Sequence, residues 1–237
     1  MAGIKTFDTN AAAYDLWFDE NQSIYQAELE AVKDFIPSTG TGVEIGAGSA
    51  RFAGPLGITI GVEPSPKMAE LAKQRGCEVI EGLAEALPIA DRTFDFALMV
   101  TVVCFLDNIA IAFQEANRIL KPQGVLIIGF IDRDSELGQQ YSRRKKQSSF
   151  YKEATFYSIS ELETQLTMAG FTDFIYRQTL FPGQSDVQIV KNGHGKGSFT
   201  VVRAIKIEAG IETKSKHNQK YSTEDWPKAS RNRKDPQ

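Results

Sequence analysis

The chain contains few of the residues that build disulfide frameworks or metal sites. Its 237 residues include two cysteines, Cys77 and Cys104, and two histidines. This count gives no zinc-binding pattern, and two distant cysteines argue against a disulfide framework, as is usual in a reducing compartment. A domain of this length buries roughly 70–75% of its unfolded surface, so it needs neither device to fold. We expect no bound metal.

Long apolar runs and a strong net charge are also missing. The formal net charge is −3, and no stretch approaches the ~20 apolar residues that a membrane span needs. Residues 1–30 carry several carboxylates and no long apolar run, which argues against a secretion signal or a membrane anchor. The charge balance gives no reason to expect nucleic acid or a membrane as a partner. We therefore expect a soluble cytoplasmic protein.

The most informative stretch is Thr41–Ala50, TGVEIGAGSA, which predicts a short buried strand followed by a glycine turn. Glu44 lies inside that strand. Burying a charged group without a partner is costly, so a ligand with hydrogen-bond donors would explain its position. Gly46 and Gly48 allow backbone torsions and close approaches that a Cβ would block. The stretch favours a nucleotide-like ligand held at the turn.

Strands and helices alternate between residues 41 and 131. The apolar runs predict five strands: Thr41–Ile45, Ile58–Glu63, Cys77–Glu81, Phe94–Val100 and Val125–Ile131. Three helices are predicted between them: Ser49–Leu56, one from Pro66 to Arg75 capped by Ser65, and one from an Asp107 cap to Leu120. Such alternation indicates a parallel sheet covered on both faces. Ligands bind such sheets at the carboxyl ends of the strands, where Glu44 and Glu63 both lie.

The flanking segments are less regular. A helix is predicted over Gln22–Ile36, a capping box at Ser158 and Glu161 predicts another, and a strand is predicted over Phe171–Leu180. The segments Val187–Val190 and Ser198–Lys206 predict a hairpin around a glycine-rich turn. Residues 133–157 are polar and interrupt the alternation, and the composition of residues 212–237 predicts a disordered tail.

The residues around the glycine turn favour S-adenosylmethionine over other nucleotides. The dinucleotide fingerprint needs a glycine where this chain has Arg51, and no Gly-Lys-Ser/Thr follows the turn to form a phosphate loop. Glu44 would repel a pyrophosphate but suits a ligand with an ammonium group. Glu63 ends the second strand, where a carboxylate accepts hydrogen bonds from ribose hydroxyls. S-adenosylmethionine has an ammonium, a ribose and no phosphate.

Four longer motifs follow one another along the chain: VEIGAGSARF, VEPSPKMAELAKQRG, EGLAEALPIADRTFDFALM and RILKPQGVLIIG. In this order they resemble the class I S-adenosylmethionine-dependent methyltransferases, in the ubiquinone-biosynthesis-like small-molecule branch (methyltransferase type 11). The resemblance covers about Phe7 to Lys206. It implies an α/β, Rossmann-like, seven-stranded, mostly parallel sheet in the order 3-2-1-4-5-7-6, with strand 7 antiparallel and helices on both faces. It further implies one methyltransferase domain over residues 1–211, with the Gly193–Gly197 hairpin joining strands 6 and 7.

The turn and the resemblance together imply nine cofactor-binding residues: Glu44, Gly46, Gly48, Glu63, Pro64, Met68, Ala84, Glu85 and Thr101. The glycines would let the backbone pass close to the methionine and ribose, and the carboxylate that ends strand 2 would hold the ribose. The residues beyond it would border the adenine, and Thr101 would face the methionine portion. The family often has an aspartate two positions before Glu85 to bind the adenine amino group, and this chain has Leu83 there.

The methyl acceptor is expected to be a small molecule that enters between an N-terminal helical lid, about residues 6–36, and the insertion at 133–157. Four aromatic residues are candidates for covering it: Tyr14, Trp17, Tyr151 and Tyr157. Methyl transfer from a sulfonium is an in-line displacement that depends mainly on alignment and exclusion of water, so we name no catalytic residue. Cys104 is expected to be a small buried hydrophobe and not a nucleophile.

Two other functions stay open at this point: a protein of the same fold that binds the cofactor without catalysis, and a nicotinamide oxidoreductase. Nucleic acid is disfavoured as the acceptor, because Arg143–Lys146 is one short basic run and no base-flipping motif follows the fourth strand. The chain is expected to be a monomer or a homodimer.

Overall fold

The computed structural model describes residues 2–183 and 189–208. Its sheet has eight strands: β1 Gly42–Ile45, β2 Ile60–Val62, β3 Glu78–Ile80, β4 Phe94–Val100, β5 Leu120–Ile131, β6 Phe171–Thr179, β7 Lys191–Asn192 and β8 Phe199–Lys206. Its helices are α1 Ala2–Glu20, α2 Gln22–Lys33, α3 Pro66–Gln74, α4 Ile109–Ile119, α5 Glu136–Arg144 and α6 Ile159–Met168. Short 3-10 turns cover Val103–Phe105 and Lys145–Gln147. The tail predicted for residues 212–237 lies outside the described residues.

The strand order is β3-β2-β1-β4-β5-β8-β6-β7. Strands β1 to β5 pair in parallel, and β8 runs antiparallel between β5 and β6. The predicted fold class and the order of seven strands are therefore confirmed, with β8 in the place of the predicted strand 7. The two-residue strand β7 is additional and lies at the outer edge, beside β6.

The predicted hairpin around the glycine-rich turn is wrong in its pairing. Lys191–Asn192 pairs with β6, not with β8, while β6 and β8 pair with each other directly. The side chain of Gln178 on β6 accounts for this arrangement, because its carbonyl oxygen accepts hydrogen bonds from the amides of Lys196 and Gly197, both at 2.8 Å. Val190 is not in a strand, and residues 187–188 of the predicted partner lie outside the described part of the chain.

Apolar side chains cover the sheet on both faces. Along β4, Ala97 and Met99 face a core that includes α4 and α6, whereas Leu98 and Val100 face a second core that includes α2 and the end of α3. This alternation is what a strand with two buried faces requires, because successive side chains point to opposite sides. Helices on both faces are thus confirmed, and the carboxyl ends of β1, β2 and β4 meet at one edge.

Three local predictions need correction. Ser49–Leu56 forms successive turns and not a helix, because Ala50 has φ 59° and the Ala53 amide donates to the Glu44 carboxylate at 2.8 Å. The cap of α4 is Asn108 and not Asp107, since the Asn108 side chain accepts from the Ile111 amide. Strand β5 begins at Leu120, before the predicted turn.

Two predicted helix starts are confirmed. The Ser65 hydroxyl accepts a hydrogen bond from the Met68 amide at 3.3 Å, with Pro66 at the first helical position of α3. At α6, Ser158 and Glu161 form the predicted capping box. Because these two signals are local in sequence, the chain around them folds as its pattern indicates.

Helix α1 is fastened across the carboxyl edge of the sheet by one aspartate. The Asp15 carboxylate pairs with Arg51 at 2.9 Å and with Arg75 at 2.7 Å, and it accepts from the Ser49 hydroxyl at 2.6 Å. Burial alone would raise the pKa of Asp15, but these hydrogen bonds outweigh it and lower the pKa to about 2. A second aspartate, Asp8, accepts from Ser65 and from the Lys67 amide, both at 3.0 Å. Helix α1 is therefore tied to the glycine turn and to α3.

Replacing Asp15 by Asn should lower the free energy of unfolding at neutral pH by roughly 2 kcal/mol. The folded state holds the pKa of Asp15 at about 2, below the ordinary value of 3.8, so the ionised carboxylate stabilises the fold at neutral pH. This contribution is lost as the pH falls from about 4 toward 2. Urea unfolding of wild type and D15N across this range should show a difference that shrinks with the pH.

The matched control is Asp19→Asn. Asp19 also pairs with Arg51, but its side chain is 50% exposed, so its removal should destabilise the fold clearly less than the removal of the Asp15 carboxylate. Equal losses for the two variants, or a difference that does not change with pH, would contradict the account of Asp15.

Candidate functional site

A cavity of about 980 Å³, counting the space at its open mouth, lies at the carboxyl ends of β1, β2 and β4. All nine residues predicted to bind a cofactor line it, and so does Tyr14. The structure thus brings together residues from the glycine turn, the end of β2, the loop after β3 and the end of β4. This is the position at which open α/β sheets bind ligands.

The glycine turn forms one wall of the cavity, and its two glycines differ in what they permit. Gly46 has φ 71°, and a Cβ there would collide with the Val102 side chain. Gly48 has φ 54°, and no atom lies within 4 Å of the position that a Cβ would take. Gly46 is therefore required by the fold of the turn, whereas Gly48 leaves open space beside the backbone.

Glu63 joins the two sides of the site. Its side chain is buried, and its two carboxylate oxygens accept from the amides of Gly48 and Ser65, both at 2.8 Å. Burial raises the pKa of Glu63, while the two amides lower it. A carboxylate has about four acceptor positions, so Glu63 retains capacity for two further donors. That capacity matches the paired hydroxyls of a ribose.

Glu44 has a structural partner that sequence reasoning did not foresee. Its carboxylate accepts from the Ala53 amide at 2.8 Å and holds the turns that replace the predicted helix. Burial raises the pKa of Glu44 to about 8, although the Ala53 amide opposes this rise. The residue also lines the cavity, so its predicted role toward a ligand stays a prediction.

The loop after β3 forms the opposite wall. Ala84 and Leu83 line the cavity, as does Glu85, whose carboxylate accepts from the amides of Asp107 and Asn108 at 2.9 and 3.2 Å. Glu85 therefore also ties this loop to the start of α4. Asp107 lines the cavity and was missed because the sequence suggested it as a helix cap. The sequence did offer a signal, because Asp107 and Asn108 are both good cap residues and only one of them can cap α4. The other was therefore a candidate for the site.

Thr101 ends β4 in a conformation that is costly for its residue type. It has φ 55°, and a β-branched residue seldom adopts this left-handed region outside a site that imposes it. Its hydroxyl lies 3.4 Å from the Tyr14 hydroxyl, so the end of β4 meets α1 at the cavity. Burial raises the pKa of Tyr14, so this phenol stays protonated at neutral pH.

The other three aromatic candidates do not line the cavity. Trp17 is 36% exposed and packs edge-on against Phe18. Tyr157 packs against the core that contains α6. Tyr151 stacks on Phe105, which does line the cavity, with ring centroids 5.8 Å apart. Phe105 was missed as a cavity residue because its segment has no sequence pattern beyond that of a loop. The roles of Trp17, Tyr151 and Tyr157 toward an acceptor stay predictions.

Cys104 lies beside the site as a protonated thiol. Burial raises its pKa to about 12, and its sulfur lies 3.6 Å from the Thr101 carbonyl oxygen. Within residues 2–183 and 189–208, no cluster of three or more His, Cys, Asp or Glu side chains is arranged to hold a metal ion. No helix in the same described ranges is long and apolar enough to cross a membrane.

Comparison with known proteins places the chain among methyltransferases. A family model described as a methyltransferase domain matches residues 43–128. An uncharacterized protein of Methanocaldococcus jannaschii is 46% identical over 206 residues, which cover 86% of this chain and all of that protein. A demethylmenaquinone methyltransferase of Staphylococcus aureus is 31% identical over 86 residues, which cover 33% of this chain and 34% of that enzyme.

A crystal structure from Thermotoga maritima gives the strongest link between fold and family. That protein is described as an S-adenosylmethionine-dependent methyltransferase and a possible histamine N-methyltransferase. It is 48% identical, with a TM-score of 0.83, and the match covers 85% of this chain and 99% of that one. With the strand order, the glycine turn and the position of the cavity, these matches show that the chain belongs to the class I S-adenosylmethionine-dependent methyltransferases.

Proposed function

We propose that this protein is an active methyltransferase that transfers the methyl group of S-adenosylmethionine to a small-molecule acceptor. The observation that carries the proposal is the cavity in which Gly48, Glu63 and Thr101 come together from three strand ends. The name of the Thermotoga relative supports a small-molecule acceptor, since histamine is one. The part of the site that α1 and the 133–157 segment surround is the proposed acceptor side.

The residues present fit this cofactor. Gly48 leaves open space where a side chain would stand, and Glu63 has two acceptor positions left for ribose hydroxyls. Met68 and Ala84 give apolar walls on the side proposed for the adenine. When bound, S-adenosylmethionine supplies a methyl group on a sulfonium, which is a good leaving group.

The chain's own contribution is alignment and exclusion of water. The ion pairs of Asp15 hold α1 over the glycine turn, and Phe7, Tyr14 and Phe105 form an apolar wall of the cavity. Positioning of two reactants can supply ~7–11 kcal/mol of a reaction barrier. No side chain in the described cavity needs to act as a general base for this account.

Glu63→Ala should weaken the binding of S-adenosylhomocysteine at least tenfold. Hydrogen bonds to a charged group contribute ~1.5–3 kcal/mol each, and the variant removes the proposed acceptor of both ribose hydroxyls. Isothermal titration calorimetry measures the affinity. Glu63→Gln keeps one acceptor oxygen, so its affinity for S-adenosylhomocysteine should fall between those of wild type and Glu63→Ala.

The control for this measurement is Glu81→Ala, because Glu81 is an exposed carboxylate just after β3 and does not line the cavity. The affinity of Glu81→Ala for S-adenosylhomocysteine should match that of wild type within twofold. Wild-type affinity in both Glu63 variants would remove the ribose assignment, and a thermal melt of each variant shows whether the fold is intact.

Tyr151→Ala should raise the KM for the acceptor at least fivefold and leave the affinity for S-adenosylhomocysteine unchanged. The reason is that Tyr151 stacks on Phe105 in the cavity wall, so its removal opens the acceptor side. Trp17→Ala should have a smaller effect, because Trp17 is 36% exposed. The measurement uses an acceptor found by screening amines, phenols and thiols with a coupled assay for S-adenosylhomocysteine. Unchanged KM values in both variants would show that neither residue covers the acceptor.

A further inference from the structure

Among the described residues, Arg51 is the only lysine, arginine or histidine that lines the cofactor cavity. Four residues with carboxylate side chains line the same cavity: Glu44, Glu63, Glu85 and Asp107. The proposed cofactor carries an α-carboxylate on its methionine portion. A carboxylate that enters a cavity lined by other carboxylates needs a cationic partner, because burial of an unpaired charge is costly.

The charged end of Arg51, and not only its backbone, lies at the cavity wall. Its guanidinium carbon is 5.6 Å from the centroid of the Phe18 ring, and Phe18 also lines the cavity. The Arg51 side chain is 14% exposed. Its backbone carbonyl is engaged elsewhere, because it accepts a hydrogen bond from the Tyr25 hydroxyl. The guanidinium is therefore the part of the residue that a ligand in the cavity can meet.

The proposed position of the nucleoside directs the methionine portion toward this wall. The Glu63 carboxylate, which is proposed to hold the ribose, accepts the Gly48 amide, so the ribose lies beside the glycine turn. The adenine is proposed to lie on the side of Met68 and Ala84. The methionine portion then extends the other way, along the turn and α1. Arg51 lies on this path, three residues beyond Gly48 in the same series of turns.

The glycine turn itself has few donors left for a carboxylate. The backbone amides that already donate within the protein are those of Gly46, Ala47, Gly48 and Ala50. The Ser49 hydroxyl donates to the Asp15 carboxylate at 2.6 Å. A carboxylate at this wall is therefore best served by the guanidinium.

The guanidinium of Arg51 retains a donor after its contacts with α1 are counted. Arginine has five N–H groups. Nε and Nη2 donate to Asp15 at 2.9 and 3.0 Å, and Nη2 also donates to Asp19 at 2.8 Å. Within the described residues Nη1 donates once, to Asp19 at 2.7 Å, so one of its two hydrogens is left for a ligand.

We propose that Arg51 binds the α-carboxylate of the cofactor through Nη1 and thereby selects a ligand that carries an amino-acid group. This inference rests on the proposed function, because it assigns the methionine end of the same cofactor site. Arg51 then has two roles, since its contacts with Asp15 and Asp19 also hold α1. Arg75 does not fill the first role, because it does not line the cavity and donates to Asp15 and to the Ser49 carbonyl oxygen.

The test is isothermal titration calorimetry with two ligands, S-adenosylhomocysteine and S-adenosyl-3-thiopropylamine. The second ligand keeps the nucleoside, the thioether and the amine but lacks the carboxylate. Wild type should bind S-adenosylhomocysteine at least tenfold more tightly than S-adenosyl-3-thiopropylamine, because only the former offers Arg51 a charged acceptor. Equal affinities for the two ligands would overturn the proposal.

Arg51→Gln should lose at least tenfold in affinity for S-adenosylhomocysteine and change by less than threefold in affinity for S-adenosyl-3-thiopropylamine. Arg51→Lys keeps a positive charge and should retain part of the preference for the carboxylate. The matched control is Arg75→Gln, which also removes an ion pair with Asp15 but takes no side chain from the cavity lining. Its preference between the two ligands should equal that of wild type.

Three outcomes in the variants would overturn the proposal. A wild-type preference in R51Q would exclude a contact between Arg51 and the carboxylate. An equal loss of both ligands in R51Q would show that Arg51 acts only through the fold, and so would a loss of preference in R75Q as large as that in R51Q. Binding of S-adenosylhomocysteine by wild type without the preference would leave the proposed function intact, whereas no binding by wild type would overturn both.

Discussion

The site depends on one carboxylate that bridges two strand ends. Glu63 directly follows β2, and its carboxylate accepts hydrogen bonds from the amides of Gly48 and Ser65. It therefore joins the turn after β1 to the start of α3. Parallel pairing brings these ends to the same edge, because adjacent strands point the same way. A buried carboxylate of this kind is tolerated only because its oxygens have donors. The same oxygens have room for ligand hydroxyls, so the group that shapes the site is also the one proposed to bind the cofactor.

Helix α1 closes the other side of this edge by charge and not by apolar packing alone. Arg51, which stands where a dinucleotide fingerprint needs glycine, pairs with Asp15 and Asp19 of α1. The residue that excludes one ligand class thus also holds in place α1, which contributes residues to the cavity lining. Tyr14, which directly precedes Asp15 on the same helix, then reaches the strained Thr101 at the end of β4.

Sequence reasoning predicted what depends on neighbours along the chain. The five strands of the alternation, the cap at Ser65 and the capping box at Ser158 are encoded in local patterns. The nine residues predicted to bind a cofactor lie around one cavity, as the order of those strands implies. The predictions were wrong where a group that is distant in sequence determines the local structure. The turn after Gly48 is not a helix because Glu44 takes the Ala53 amide, and β7 pairs with β6 because Gln178 binds the glycine-rich turn.

The central claim is that the edge formed by β1, β2 and β4 holds S-adenosylmethionine. The most direct measurement is a crystal structure of the protein grown with S-adenosylhomocysteine. The account predicts that both ribose hydroxyls donate to Glu63 and that the adenine lies between Met68 and the loop of Leu83 and Ala84. A complex in which the nucleoside binds elsewhere, or in which Glu63 makes no contact with the ribose, would contradict it.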